Sequence, residues 1–418
     1  MSQPKLSTLA ANLLPSEIVR LSGTIKEKIS AGAKIYNYTI GDFDSKVFPI
    51  PQLLQDEIIR AYKEGFTTYP AADGEAVLRK AVSDFITREL GTNFSESEVL
   101  ISCGGRPLIY SIFKTIIDEG DKVVYPIPSW NNNHYTNLTH GQHVPVIATA
   151  QNNFLPTAAQ LKPLLKDATL LALCSPLNPT GTAFTKEELE AICDLVIEEN
   201  KTRQGKKLYV MYDQMYWTLT FGEVKHYHPV GLREEMRPYT IYVDGISKSL
   251  AATGVRVGWA LGPANVLAKM RGLNSHIGSW APMAEQHAVA NTISNEAGYH
   301  AYMTGFKKEL EQRLVKFYNG FSSLKEKGYP VDCIAPQAAI YLTVKIDLAG
   351  KSLNGNVLTT QEEVTEFLLN EANIALVPFN CFGAEKDNPW YRLSIGTTRL
   401  EDIDAVMKNL EHALSKLS

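Results

Sequence analysis

Long apolar runs are missing from this 418-residue chain. No segment reaches the roughly 18 residues that a membrane-spanning helix needs, so no membrane partner is expected. Met1–Leu14 lacks a basic segment leading into an apolar one, so no signal peptide is expected and the expected compartment is the cytoplasm. Cysteines are few and scattered, at positions 103, 174, 193, 333 and 381. An odd count without a Cys-x-x-Cys pair argues against a disulfide scaffold or a structural zinc site, and no metal site is expected. Charge of one sign is not in excess: 41 Lys and Arg stand against 45 Asp and Glu, mixed along the chain. Without a basic cluster or an acidic tail, neither nucleic acid nor another highly charged partner is implied. Repeats, low-complexity stretches and a Walker loop are also absent.

What remains is ordinary globular composition, 44% hydrophobic and 21% charged, with length for two or three domains. Ser16 to Ala31 reads as an amphipathic helix behind Pro15, with Ile18, Leu21, Ile25 and Ile29 on one face. Pro51 to Gly65 reads as another, with Leu54 and Ile58 inward. From there to about residue 262, short apolar strands alternate with helical patterns: 98–102, 122–125, 143–149, 169–175, 207–212, 240–243 and 257–261. That alternation predicts an α/β fold with a mostly parallel seven-stranded sheet covered on both faces. A long charged helix over 298–327 leads to strands at 339–346, 374–378 and 391–395 and helices at 360–370 and 401–417. The mixture predicts a smaller α+β domain. We expect residues 48–300 to form the large domain, and 1–47 with 301–418 to form the small one.

In a parallel sheet, ligands bind beyond the carboxyl ends of the strands. The polar residues just past those ends are Gly104-Gly105-Arg106, Pro128-Ser129-Trp130, Asn178, Asp213 with Tyr216, and Ser247-Lys248. Asn178, Asp213 and Lys248 follow one another at steps of 35 residues, about one strand–helix repeat each. A lysine in a loop of small residues, as Lys248 is expected to be, can form a Schiff base with a carbonyl. Pyridoxal phosphate is such a carbonyl, and its ring nitrogen needs a carboxylate to stay protonated and accept electrons. Asp213 fits that need. Asn178 and Tyr216 could donate to the phenolate oxygen, and Trp130 could stack on the ring. A phosphate needs backbone N–H groups at a helix start plus a cation, which Gly104-Gly105 and Arg256 supply.

These residues carry a resemblance. Tyr69-Pro70-x3-Gly74-x3-Leu78-Arg79, Gly104-Gly105, Pro128-Ser129-Trp130, Asn178-Pro179-Thr180-Gly181, Asp213-x2-Tyr216, Ser247-Lys248-x7-Arg256-Val257-Gly258 and Tyr391-Arg392-Leu393-Ser394 stand in this order. The chain resembles the class I/II, fold-type I, pyridoxal-phosphate aminotransferases, aspartate aminotransferases in particular, over about residues 40–400. The resemblance implies that Lys248 is catalytic and holds the cofactor, that Asp213 pairs with the ring nitrogen, and that Asn178 and Tyr216 contact the phenolate oxygen. It assigns Ser247 and Arg256 to the phosphate, with Gly105 and Arg106 nearby. It also implies a homodimer in which Tyr69 reaches the other subunit's phosphate. Arg392 would clamp the substrate α-carboxylate, with Gly41, Trp130 and Asn178 beside it.

Three departures from the family pattern stand out: Gln214 where many members have Glu, Gly245 where many have Ser, and Arg106-Pro107 after the paired glycines. Arg106 could grip a distal substrate carboxylate, face the phosphate region or point to solvent. The favoured activity is a ping-pong transamination between aspartate and 2-oxoglutarate. An aromatic or broad-range aminotransferase, a β-lyase on the same scaffold and a non-catalytic cofactor-binding regulator are the alternatives. His226-Tyr227-His228 reads as a packed pair, and Ser322-x2-Lys325 as helix surface.

Overall fold

The computed structural model describes residues 5–11, 13 and 17–418. Pro15, Ser16 and the Ile18 side chain lie outside them. Seven strands form one sheet: β1 Val99–Ser102, β2 Lys122–Ile127, β3 Gln142–Ile147, β4 Ala168–Cys174, β5 Tyr209–Asp213, β6 Thr240–Gly245 and β7 Gly258–Leu261. Their order is β1-β7-β6-β5-β4-β2-β3. Neighbours from β6 through β3 pair in parallel. β7 runs against both β6 and β1, pairing Gly258 with Gly245 and with Ser102.

Both faces of the sheet are buried along its inner strands, as continuous apolar runs require, whereas the edge strand β3 is largely exposed. Successive side chains of a strand point to opposite faces, and β4 shows the result. Leu170 and Ala172 pack with Leu108, Ile112 and Phe113, whereas Leu171 and Leu173 belong to a larger core with Leu189, Ile192 and Val196. The helix Lys186–Thr202 in that larger core starts with a capping box: the Glu188 amide donates to the Thr185 hydroxyl at 3.3 Å, and Thr185 N–H donates to the Glu188 carboxylate at 3.0 Å.

A second sheet holds β8 Val331–Cys333, β9 Tyr341–Ile346, β10 Val377–Pro378 and β11 Trp390–Ser394, in the order β10-β11-β9-β8, all antiparallel. The helix Glu296–Glu326 leads into it. The two sheets are tied at the site described below: the Thr343 hydroxyl of β9 donates to the Thr180 carbonyl at 2.8 Å.

Three expectations need correction. The apolar run expected over 374–378 is two short strands, Ile374–Ala375 and Val377–Pro378, in different sheets. Lys248 is not in an open loop but on a single helical turn, Ile246–Ser249. On the helix Glu17–Ser30, Ile25 packs against Leu369 and Ala375, but Ile29, one turn further on, is 45% exposed.

Candidate active site

The carboxyl ends of β1, β4, β5 and β6 open on one cavity of about 770 Å³. Its walls carry Gly41, Gly105, Arg106, Trp130, Asn178, Asp213, Tyr216, Ser247, Lys248, Arg256 and Arg392. Every expected site residue except Tyr69 therefore meets in one place. Tyr69 is 84% exposed and meets the Trp280 ring edge to face, at 5.4 Å between ring centres. The single chain does not bring it into the cavity.

Lys248 follows the end of β6, and its Nζ donates to the Gly41 carbonyl at 2.5 Å. Burial lowers its amine to about 8, and Arg392, Arg106 and Arg256 push the same way against the opposing pull of Asp42. Asp213 ends β5 facing the cavity. Burial raises its carboxyl to about 6, opposed only by the Met215 amide, which donates to Oδ1 at 3.0 Å. Among the described residues it has no cationic partner. A buried carboxylate in this state suits a cation supplied by a ligand.

At the end of β1 the chain turns at Gly104 and enters the helix Gly105–Ile116. The Arg256 guanidinium fills the space where a Gly104 side chain would be: a Cβ there would stand 2.1 Å from its Nη2. Arg256 itself adopts φ 60°, costly for a residue with a side chain, and is held by bonds from its guanidinium to the Cys103 and Thr253 carbonyls. Free amides at a helix start beside an arginine make a cradle for an anion. Ser247 lines the same cavity.

Arg392, on β11, is 2% exposed. Its Nη1 donates to Asn178 Oδ1 at 3.0 Å and its Nη2 to the Thr39 carbonyl at 2.8 Å, while Nε finds no partner among the described residues. With its oxygen committed to Arg392, the Asn178 amide keeps its N–H groups for another acceptor. Arg106 is exposed at the cavity wall, stacks over Trp130 at 5.5 Å and has no ion pair among the described residues.

The cavity also has walls that motif reading overlooked. Ser22, Gly23 and Lys26 of the helix Glu17–Ser30 contribute, as do Thr39, Asp42, Thr253 and Tyr341. None stands at the end of a strand of the large sheet, so none carried a positional signal. Behind the site, the carboxyl of Asp244 accepts from Trp217 Nε1 at 2.8 Å and from the Gly245 amide at 2.7 Å, and burial raises it to about 7. His226 and His228 are a stacked, packed pair with ring centres 6.3 Å apart, and Lys325 pairs with Asp332 on the surface.

The donor set fits pyridoxal phosphate: an amine, an unpaired buried carboxylate, an anion cradle and an arginine clamp share one cavity. Comparison with known proteins agrees. Residues 34–410 match the family described as aminotransferase class I and II. The chain is 30% identical to an aspartate aminotransferase of Bacillus sp. (strain YM-2), covering 91% of this chain and 92% of that one. It is 31% identical to that of Geobacillus stearothermophilus, over 94% and 95% of the two chains. The crystal structure of an aspartate aminotransferase from Rhizobium meliloti superposes with a TM-score of 0.91 over 100% of both chains at 22% identity, a likeness of fold. The chain therefore belongs to the class I and II aminotransferases, enzymes that use pyridoxal phosphate to transfer amino groups.

Proposed function

We propose that this aminotransferase exchanges the amino group of aspartate with 2-oxoglutarate in a ping-pong cycle. The observation that carries the substrate reading is that, besides Arg256 at the anion cradle, two further arginines, Arg392 and Arg106, line one cavity with Lys248. A substrate with two carboxylates suits two cations. The names of the relatives point the same way.

Lys248 is the residue that holds the cofactor, with Asp213 at its ring nitrogen, Asn178 and Tyr216 at its phenolate oxygen, and Trp130 against its ring. The Gly105 amide, Ser247 and Arg256 hold its phosphate. When bound, pyridoxal phosphate supplies an electrophilic carbonyl and a ring that accepts electrons from the substrate carbon. The Nζ of Lys248, neutral above about pH 8, would take the proton from the substrate Cα and deliver it to the cofactor's former carbonyl carbon. Arg392 binds the α-carboxylate through its planar fork, with the Gly41 backbone beside it. Arg106 binds the distal carboxylate.

Residues 1–47 and 301–418 act as a unit that closes on residues 48–300, carrying Arg392 inward and excluding water. The enzyme works as a homodimer in the cytoplasm, where Tyr69 of one subunit reaches the phosphate of the other.

Arg106→Ala tests the substrate reading. Loss of one charge-assisted contact should lower kcat/KM for aspartate by about 10- to 100-fold and leave that for phenylalanine within about threefold. An equal fall for both, or no fall, overturns the assignment. Pyruvate and ammonia released from an amino acid without an oxo-acid acceptor would point to a lyase instead.

A further inference from the structure

Tyr341 lines the cavity and has no part in the reading above. Its hydroxyl lies 2.6 Å from that of Tyr216, and the two buried rings meet edge to face at 5.4 Å. The Arg392 guanidinium lies over the Tyr341 ring at 4.6 Å. Gly41 closes a third side: a Cβ there would stand 2.9 Å from the Tyr341 hydroxyl and 3.6 Å from both Arg392 Nη atoms. One side chain thus touches the tyrosine beside the cofactor site, the carboxylate clamp and the loop that accepts a bond from Lys248.

The direction of the tyrosine bond, which either hydroxyl could donate, decides what Tyr216 can do for a ligand. Each hydroxyl has one hydrogen, and one bond joins the two. If Tyr216 donates to Tyr341, it has nothing left to donate to a ligand. If Tyr341 donates, the Tyr216 hydrogen is free, and its oxygen, now accepting, makes it a stronger donor. Burial holds both phenols above their ordinary range, so both keep their hydrogens at neutral pH.

We propose that Tyr341 is a positioning residue: its hydroxyl donates to Tyr216 and aims the Tyr216 O–H into the cofactor cavity, while its ring seats Arg392. This rests on Tyr216 donating to the cofactor's phenolate oxygen. A weaker donor leaves that oxygen more basic, so the cofactor–lysine linkage keeps its proton to higher pH.

The test is the pH midpoint of the visible absorbance change of the holoenzyme. Tyr216→Phe should raise it by about one unit and Tyr341→Phe by about half a unit, the effect of part of one hydrogen bond. The double variant should sit with Tyr216→Phe alone, since both act through one contact. Tyr341→Leu, which also removes the ring, should weaken succinate binding about tenfold, and Tyr341→Phe should weaken it far less. A shift in Tyr216→Phe without one in Tyr341→Phe, or shifts that add, overturns the role of Tyr341. No shift in Tyr216→Phe overturns the Tyr216 assignment and the inference with it. Loss of succinate binding equal in both Tyr341 variants overturns the seating of Arg392.

Discussion

Asp213 is a carboxylate whose charge is costly to keep without a cation beside it. Burial raises its carboxyl from 3.8 to about 6, so the folded chain holds a proton there that the unfolded chain has already released. The folded state therefore binds more protons between about pH 4 and 6, and Asp213 makes apoprotein stability fall as pH rises through that window. Asp244, raised from 3.8 to about 7, extends the fall toward neutrality. A cationic ring nitrogen opposite Asp213 reverses the first of these costs. Asp213→Asn should thus make the apoprotein at pH 7.5 more stable, on the order of 1–3 kcal/mol, while abolishing most of the stabilisation that added pyridoxal phosphate gives the wild type. Thermal melts of both proteins, with and without cofactor at pH 5 and 7.5, check this. An Asn variant less stable than wild type without cofactor, yet equally stabilised by it, contradicts the role.

At the scale of elements, Gly258 at the start of β7 packs backbone to backbone against both Gly104 after β1 and Gly245 at the end of β6. A Cβ on Gly245 would stand 2.7 Å from the Gly258 Cα and 2.8 Å from the Val257 carbonyl, and one on Gly258 would stand 2.9 Å from Gly104. The hydroxyl that many relatives place at position 245 has no room here. Gly245→Ser should cost the holoenzyme about 1–3 kcal/mol in urea unfolding, as overpacking does, with weaker cofactor binding. A serine variant of unchanged stability that holds the cofactor more tightly would contradict this packing. The strands themselves were legible because buried β-strands are continuous apolar runs, and the cradle because glycines precede a helix. The reversal of β7 was not, since a strand apolar on both faces has no pattern that encodes direction. The 12 residues between β6 and β7 hold only the Lys248 turn and no crossover helix. Residues that enter the cavity from outside the large sheet, such as Tyr341 and Lys26, carried no spacing to give them away. Asn178 lies at the cavity, past the end of β4, but its bond to Arg392 joins residues 214 apart and is visible only in three dimensions.

At the scale of the whole molecule, one aromatic side chain proposed to reach the cofactor, Tyr69, lies outside the cavity of its own chain. Tyr69 is 84% exposed, and Ile59 and Tyr62 on the preceding helix are exposed as well, with Tyr62 bonded to Glu285 of the helix Met283–Ser294. A second copy covering this face would bury the apolar surface and bring each Tyr69 to the partner's cavity. Light scattering should therefore report twice the chain mass of 46.3 kDa. Tyr69→Phe should keep that mass while weakening pyridoxal phosphate binding about tenfold, because a hydrogen bond to a charged phosphate contributes about 1.5 kcal/mol or more. The two measurements separate the dimer from the shared site. A monomer with full cofactor affinity removes both. A dimer whose Phe variant binds the cofactor as tightly as wild type keeps the assembly but returns Tyr69 to ordinary packing against Trp280.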